Sequence, residues 1–307
     1  MFFCSIMGKN PTRDFGPVKK RIFLKEALKV PRMLGRTGLM AGRLGVSGGY
    51  GAPAAAFEMA FERGCNYFYH GSMRKEGMTQ AIRNLARQGK RERLIVVDQL
   101  YTRSLWHFRQ SFERFFKLTG LDYADVLLLG WYNSPPGPRI LDLCFELKEQ
   151  GRFKFIAVSG HNRRMFPTIA GPSPFDIFHI RYNAAHRGAE EEVFPHLPAE
   201  HRPGIVIYTA TRWGNLINPK KTPPGVAVPR ASDCYRFALA NPAVDVCMTG
   251  PADMEQMHEA LAALERGPLS PEELEWMRSV GAYVRRRHFW SAVWPGKNPS
   301  TTNSERS

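Results

Sequence analysis

Short apolar runs alternate with longer amphipathic segments along most of this chain, and this alternation restricts the fold more than any other feature. Runs such as Val126–Leu129 are apolar at every position, as parallel strands covered on both faces are. The alternation predicts βαβ units in an α/β fold with a parallel sheet. The eight predicted strands are Arg43–Gly49, Asn66–Gly71, Leu94–Leu100, Asp125–Tyr132, Phe153–Gly160, Asp176–Asn183, Ile205–Ala210 and Asp245–Gly250.

The segments between the strands have the apolar spacing of amphipathic helices. The clearest predicted helices are Ala54–Arg63, Thr79–Gln88, Leu105–Leu118 and Ile140–Gln150. A glycine follows each of these helical runs, which is where helices commonly end in a left-handed residue. A last helix is predicted from Pro271 to about His288, with Ser270 as its N-cap and two glutamates in its first turn.

Length and composition favour one globular domain. The chain has 307 residues, and a barrel of eight strand–helix units needs about 250. We find no internal linker, and we expect a basic N-terminal extension over residues 1–30 and a flexible C-terminal tail over residues 291–307. The alternation alone fits either a closed barrel or a doubly wound sheet.

The chain is strongly basic, with 43 lysines and arginines against 28 acidic residues and a formal charge of +15. Such a charge favours anionic ligands or acidic partners. The basic runs lie near the two ends and are not interleaved with aromatic rings, as a base-stacking surface requires. We therefore do not expect a nucleic-acid partner, and a solvated basic surface is the simpler interpretation of the charge.

Cysteine use and hydropathy predict a cytoplasmic protein. The five cysteines are odd in number and widely spaced, without a CxxC pair, which fits a reduced compartment and predicts neither a disulfide framework nor a metal site. No apolar run approaches the roughly 18 residues of a membrane span. The N-terminus lacks the basic and long apolar regions of a signal peptide. We expect no membrane partner.

Three phrases of the sequence resemble one enzyme family. Met33–Gly49 reads MLGRTGLMAGRLGVSGG, Arg187–Val193 reads RGAEEEV and Asn241–Val246 reads NPAVDV. Each is similar to a phrase of the aldo-keto reductases, and further matches continue to about residue 280. The resemblance implies a (β/α)8 TIM barrel over residues 31–290, with an N-terminal β-hairpin and an extra C-terminal helix. It also implies an oxidoreductase that uses NADPH or NADH on a small-molecule substrate.

The catalytic residues of that family are missing from this sequence. The family uses an aspartate, a tyrosine, a lysine and a histidine, and the matching positions here are Tyr69, Arg74, Gln99 and Gly130. In the family the tyrosine protonates the forming alkoxide, and its pKa is lowered by the lysine and the histidine. An arginine cannot give up a proton, a glutamine is uncharged and a glycine has no side chain. The resemblance therefore implies that the standard mechanism is disabled.

More of the family's cofactor site is kept in the second half of the chain. By resemblance, Ser159 and His179 hold the nicotinamide amide, and the ring of Tyr208 stacks on the nicotinamide. In barrels of this kind the loops after strands seven and eight bind phosphate, together with a helix N-terminus. From these loops the resemblance adds Arg212, Gly214, Gly250, Ala252, Asp253 and Gln256. No arginine is evident for a ribose 2′-phosphate, so both cofactors stay open.

Residues at the carboxyl ends of the strands are candidates for the missing acid–base chemistry, namely Tyr69, His70, Gln99 and His161. Tyr69 is the leading proton donor because it should end the second strand at the barrel mouth. The alternative is that its ring only fills space left by the lost side chains. Strand alternation points His70 to the opposite side, although its ordinary pKa suits acid–base work. We expect the substrate pocket to be lined by Arg74, Trp131 and Tyr132.

Three functions fit these residues. The first is an NAD(P)H-dependent oxidoreductase that reduces a carbonyl, imine or enone and uses a non-standard proton donor. The second is a cofactor-independent isomerase, lyase or cyclase that uses the same pocket, since the hydride-coupled acid is lost while aromatic and histidine groups remain. The third is a catalytically inactive binding or regulatory homologue, which the basic termini motivate.

Overall fold

The computed structural model describes residues 26–71 and 73–293, so most of the predicted N-terminal extension and tail lies outside the described residues. The strands are β1 Arg32–Met33, β2 Met40–Ala41, β3 Leu44–Ser47, β4 Tyr67–Tyr69, β5 Ile95–Leu100, β6 Ala124–Leu129, β7 Phe153–Gly160, β8 Ile177–Arg181, β9 Gly204–Tyr208 and β10 Val246–Thr249. Strands β3 to β10 are parallel and close into a barrel, in which β10 pairs with both β3 and β9. The predicted (β/α)8 TIM barrel is confirmed, and the doubly wound sheet is excluded.

The short strands β1 and β2 form the predicted antiparallel N-terminal hairpin. Leu34 and Ala41 of this hairpin are fully buried in the apolar cluster inside the barrel. Gly204, which begins β9, lies so close to Leu34 that a Cβ there would be 2.7 Å from the Leu34 side chain. The hairpin therefore covers the amino end of the barrel, and the carboxyl ends of the strands form its mouth.

Helices cover the outside of the barrel. They are α1 Ala54–Glu62, α2 Glu76–Arg87, α3 Leu105–Thr119, α4 Pro138–Glu149, α5 Met165–Thr168, α6 Ala189–Glu192, α7 Ala231–Leu239, α8 Met254–Arg266 and α9 Pro271–Val293. The predicted C-terminal helix is thus present and extends beyond His288. Helix α2 begins three residues before the predicted Thr79. Gly77 explains the early start, because a Cβ there would lie 2.0 Å from the Ala52 carbonyl oxygen and only glycine allows this approach.

Strand alternation separates two apolar regions. Tyr67 and Val97 point into the barrel, whereas their neighbours Phe68 and Val96 pack against the surrounding helices. Tyr69 and Tyr208 are packed against the inner region and lie at the ends of their strands. Side chains that continue the inner register therefore form the mouth. None of the described helices is both long and apolar enough to span a bilayer.

Candidate active site at the barrel mouth

Two tyrosines form a pair at the mouth. Tyr69 is the last residue of β4, and its hydroxyl lies 3.3 Å from the hydroxyl of Tyr101, which follows β5. Burial and the neighbouring phenol raise the pKa of Tyr69 well above its ordinary value. Tyr69 is therefore a protonated phenol at neutral pH. It can donate a hydrogen bond or a proton, but no adjacent cation helps it to do so.

The ring of Tyr101 occupies the space beside Gly130, where the family has its histidine. A Cβ on Gly130 would lie 2.6 Å from the Tyr101 ring and 2.8 Å from Nε2 of Gln99. The other face of this ring meets Trp131, with ring centroids 4.7 Å apart. A side chain from a neighbouring loop thus fills this space, and the site leaves no room for a side chain at Gly130.

Gln99 contributes an unsatisfied acceptor to the same region. Its Oε1 atom is buried and has no hydrogen-bond partner among the described residues. Buried polar atoms are normally paired, so such an atom calls for a donor from a ligand or from water. Gln99 therefore suits the binding of a hydroxyl or an amide, although it cannot transfer a proton.

His179 is held inside the barrel below the tyrosine pair. Its Nε2 atom lies 2.8 Å from the hydroxyl of Tyr67, and both side chains are fully buried. Burial lowers the pKa of His179 to about 3, so the imidazole is neutral under ordinary conditions. Its ring centroid lies 6.4 Å from that of Tyr69. His179 can accept or donate one hydrogen bond at the floor of the mouth, but it supplies no charge there.

Strands β7 and β9 bring Ser159 and Tyr208 to the other side of the mouth. The Ser159 hydroxyl oxygen accepts a hydrogen bond from the backbone N–H of Trp131 at 3.3 Å, which leaves its proton free to donate. The hydroxyl of Tyr208 donates to the carbonyl of Gly160 at 3.4 Å. A Cβ on Gly160 would be 1.8 Å from the Tyr132 carbonyl oxygen. An asparagine, which the family has at Gly160, would not fit here.

His70 lies on the opposite face of β4, in the layer between the barrel and its helices. Its Nε2 atom is 2.8 Å from the Thr79 hydroxyl, and its ring packs edge-on against Phe115. Burial lowers the pKa of His70 to about 3. Asp98 is buried in the same layer, and burial raises its pKa to about 7 against the opposing effect of Lys75. Neither side chain lies in the barrel interior.

The loop after β10, where the cofactor phosphate is predicted to bind, caps the N-terminus of helix α8 with its own side chains. Asp253 caps helix α8 by accepting a hydrogen bond from the Gln256 amide at 2.8 Å. Gln256 in turn accepts from the Ala252 amide at 3.0 Å. Gly250 is covered by the ring of Tyr50, since a Cβ there would lie 2.3 Å from that ring. The helix N-terminus is therefore satisfied by a carboxylate from its own loop.

The loop after β9 is tightly wound. Thr209, Arg212 and Trp213 all have positive φ, near 55°, and Gly214 has a φ of 79°. Positive φ is unfavourable for a β-branched residue, and strain of this kind accumulates at functional sites. Winding turns the Arg212 guanidinium toward helix α9, where it donates to the Val284 carbonyl at 2.8 Å.

The remaining predicted residues divide between the rim and the outer layer. Trp131 is 63% exposed and has a φ of 59°, and Arg74 is exposed with a φ of 48°. His161 is exposed after β7, where its backbone N–H donates to Asn133. Tyr132 packs into the apolar layer outside the barrel. The structure thus brings Arg74, Trp131 and His161 to the rim, and it buries the ring of Tyr132 against the outer apolar layer while the Tyr132 carbonyl contacts Gly160.

Sequence reasoning missed Tyr101 and Arg181. Tyr101 directly follows the predicted strand Leu94–Leu100. The sequence signal that could have found it is Gly130 on the next strand, because a glycine there leaves space that a neighbouring ring can fill. Arg181 ends β8 inside the phrase FHIRYN. Its place near the carboxyl end of the predicted strand Asp176–Asn183 was visible in the sequence, and it marks a cationic part of the rim.

Aldo-keto reductases of known structure share this fold. The holo form of an aldo-keto reductase from Bacillus halodurans is 18% identical, with a TM-score of 0.66 over 82% of this chain and 96% of that chain. An aldo-keto reductase from Klebsiella pneumoniae, in complex with NADP and acetate, is 18% identical, with a TM-score of 0.65 over 83% and 95%. A thermostable aldo-keto reductase in complex with the inhibitor epalrestat is 22% identical, with a TM-score of 0.63 over 82% and 99%. No family model and no curated protein matches the sequence. The chain therefore has the fold of the aldo-keto reductases.

Proposed function

We propose that the protein is an oxidoreductase that reduces a small organic carbonyl, imine or enone with NAD(P)H, and that Tyr69 supplies the proton. The observation that carries the proposal is the contact of 3.3 Å between the hydroxyls of Tyr69 and Tyr101 at the barrel mouth. Sites in barrels of this class lie at the carboxyl ends of the strands. The structural neighbours with NADP and NADPH support the choice of cofactor.

Tyr69 is protonated before the reaction because burial raises its pKa. As negative charge develops on the substrate oxygen, the Tyr69 hydroxyl donates its proton to that oxygen. The half-buried Tyr101 hydroxyl then hydrogen-bonds to the tyrosinate oxygen and passes a proton to it from solvent. Without a lysine or a charged histidine the phenol is a weak acid, so this chemistry suits substrates that accept hydride readily.

The residues at the nicotinamide end fit the cofactor. The Ser159 hydroxyl has a proton free to donate, and the buried Oε1 of Gln99 lacks a donor. These two groups complement the amide N–H and carbonyl of a nicotinamide, and the Tyr208 ring offers a stacking surface at the end of β9. When bound, the cofactor supplies a hydride to the substrate.

The predicted phosphate end favours NADH over NADPH. Asp253 places a carboxylate at the N-terminus of α8, where a 2′-phosphate would otherwise be stabilised. A carboxylate accepts hydrogen bonds from a ribose hydroxyl, as it does in other dinucleotide sites, and it repels a phosphate. We therefore expect tighter binding of NADH.

The rim suggests an aromatic or apolar substrate. Several loops at the carboxyl ends of the strands carry large exposed apolar side chains, namely Tyr50, Met73, Trp131 and Trp213. Exposed apolar groups that surround a site commonly mark a binding surface. We further expect the protein to work in the cytoplasm, since Cys65, Cys144, Cys234 and Cys247 are free and buried.

The proposal is tested with purified protein, NADH and a panel of aromatic aldehydes, quinones and enones. Oxidation of NADH that depends on one of these substrates supports it. Turnover of a substrate in the absence of any nicotinamide would support an isomerase, lyase or cyclase instead. Failure both to bind and to oxidise NADH or NADPH would overturn the proposal and favour a binding role.

A further inference from the structure

A cavity of about 520 Å³ lies at the side of the barrel mouth, among the loops after β7 and β8 and the helix α9. Its basic lining comes from four parts of the chain. The residues are Arg163, Arg181, His186, Arg187, Arg278 and Arg285. No residue of the predicted phosphate loop Gly250–Gln256 lines this cavity.

Two of the lining arginines are neutralised by their own carboxylates. Arg163 forms a bidentate pair with Glu192, at 2.8 and 3.0 Å. Arg278 binds Glu190 through both of its terminal nitrogens, at 3.1 and 3.2 Å. These pairs build two walls of the cavity and contribute no net charge.

The other arginines have no such partner. Arg181, Arg187 and Arg285 form no salt bridge with any carboxylate of the described residues. Glu191 is the only acidic lining residue left for the three of them, and its side chain is exposed. The cavity therefore has an excess of positive charge that the protein itself does not neutralise.

A buried arginine beside the cavity shows the same imbalance. Arg212 does not line the cavity and is only 5% exposed, and its guanidinium donates to the Val284 carbonyl, which carries no negative charge. Burial, followed by the charges of Arg181 and Arg285, lowers the pKa of Arg212. The Nε atom of Arg181 is itself buried without a partner. Buried polar atoms are normally hydrogen-bonded, so the unpartnered Nε of Arg181 is available to an anion in the cavity.

His186 is fixed rigidly among these arginines. Its backbone N–H and that of Ala185 donate to the side-chain oxygen of Asn183, which closes a tight turn after β8. Burial, followed by four surrounding arginines of which Arg181 has the largest effect, lowers the pKa of His186 to about 4. The imidazole is thus neutral, and it can donate one hydrogen bond to an anion.

We propose that this cavity binds the phosphate group of a small phosphorylated molecule, with Arg181, Arg187 and Arg285 as the arginine arc that neutralises it. A phosphate dianion matches the unpaired guanidinium groups, which bind phosphate oxygens in bidentate geometry. The cavity is partly open to solvent, between two loops and helix α9, and its volume suits a small ester or a diphosphate. This site does not depend on the proposed reduction, and neither of the two loops expected to hold the cofactor phosphates, Arg212–Gly214 and Gly250–Gln256, lines it.

Calorimetric titration of the full chain tests the proposal, with pyrophosphate, inorganic phosphate and glycerol 3-phosphate at matched ionic strength. We expect saturable binding of pyrophosphate and of the ester, and at least tenfold weaker binding to R181Q and R285Q. The matched control is R139Q, because Arg139 is exposed at the start of α4 and far from the lining residues. Its affinity should stay within twofold of the parent protein.

Four outcomes overturn the proposal. They are no saturable binding up to about 1 mM, equal losses of affinity in R139Q and R181Q, binding of inorganic phosphate without the ester, and competition between pyrophosphate and NADH. Competition would assign the anion to the cofactor loops. Thermal unfolding without ligand checks that R181Q and R285Q are folded. A protein that binds pyrophosphate but not NADH would support the anion site while the proposed reduction fails.

Discussion

The two sides of the barrel mouth differ in charge: one is uncharged and the other is strongly cationic. On the side of β4 to β6, the mouth is formed by the uncharged residues Tyr69, Gln99 and Gly130, and the ring of Tyr101 packs beside Gly130. On the side of β8 and β9, the arginine arc gathers cations that no described carboxylate pairs with. The first side is uncharged and lacks only a hydrogen-bond donor for the buried Oε1 of Gln99, whereas the second side suits an anion.

This difference separates two requirements of a reductase. A proton donor needs only a protonated group at the right place, which burial of a phenol provides. A ligand with a phosphate needs a fixed positive charge. The fold provides it by holding several arginines close together, although these arginines repel one another. One barrel mouth can therefore combine an uncharged proton-donor side with a strongly cationic side.

The largest effect is expected on the tyrosine side. Tyr69→Phe should lower kcat/KM for reduction by about 100- to 10,000-fold, because it removes the phenol that the proposed mechanism uses as the general acid. NADH affinity, measured by titration, should change little. The matched control is Tyr123→Phe, since the Tyr123 hydroxyl binds Glu92 at the other end of β6. Equal activity in Tyr69→Phe and the parent protein would remove Tyr69 from the mechanism.

A second effect concerns the carboxyl group of Asp98, which is buried between the barrel and its helices. Burial raises the pKa of Asp98 from about 4 to about 7, so the folded state binds the proton more tightly than the unfolded state does. Stability from this group is therefore lost as the pH rises from 4 to 7, and it is constant above that. Between pH 4 and pH 7, the free energy of unfolding of Asp98→Asn should rise by about 2–4 kcal/mol relative to that of the parent protein. Urea unfolding at several pH values measures the gain, and a difference independent of pH would refute it.

A third test restores a family residue. Gly130→His should lower the free energy of unfolding by about 1–3 kcal/mol, because its Cβ would meet the ring of Tyr101. Adding Tyr101→Ala should recover part of this loss by vacating the space. Chemical denaturation of the single and double variants measures the coupling. Additive losses would show that Tyr101 does not fill the histidine position.

The smallest effect is expected on the arginine side without ligand. Arg285→Gln should raise thermal stability slightly in phosphate-free buffer, by less than about 1 kcal/mol, because it relieves repulsion by Arg212 in a partly solvated site. In the presence of pyrophosphate the parent protein should become more stable than Arg285→Gln, since only the parent protein gains stability from the ligand. A variant that is less stable in both buffers would argue against repulsion in this cavity.

The sequence predicted the barrel well, because its signals were local and repeated. All eight strands were found from apolar runs, and the hairpin and last helix were also correct. Errors fell at boundaries such as the start of α2, where Gly77 allows a close backbone contact that apolar spacing does not reveal.

The site was less predictable, because it depends on contacts between loops. Strand alternation correctly predicted that His70 points away from Tyr69. It did not predict the hydrogen bond between His179 and Tyr67 within the barrel. The direction of Arg212 follows from a strained loop and a helix carbonyl more than 70 residues later in the chain. Packing between segments so distant is not encoded in any short phrase.

The most direct test of the central claim is a titration of the protein with NADH, followed by tryptophan fluorescence. Trp131 and Trp213 lie at the rim and report on ligands there. The proposed reduction predicts saturable binding with a Kd below about 10 µM, or roughly −7 kcal/mol, and weaker binding to Tyr208→Ala. Absence of binding at about 1 mM NADH would contradict the claim that this barrel is a nicotinamide-dependent reductase.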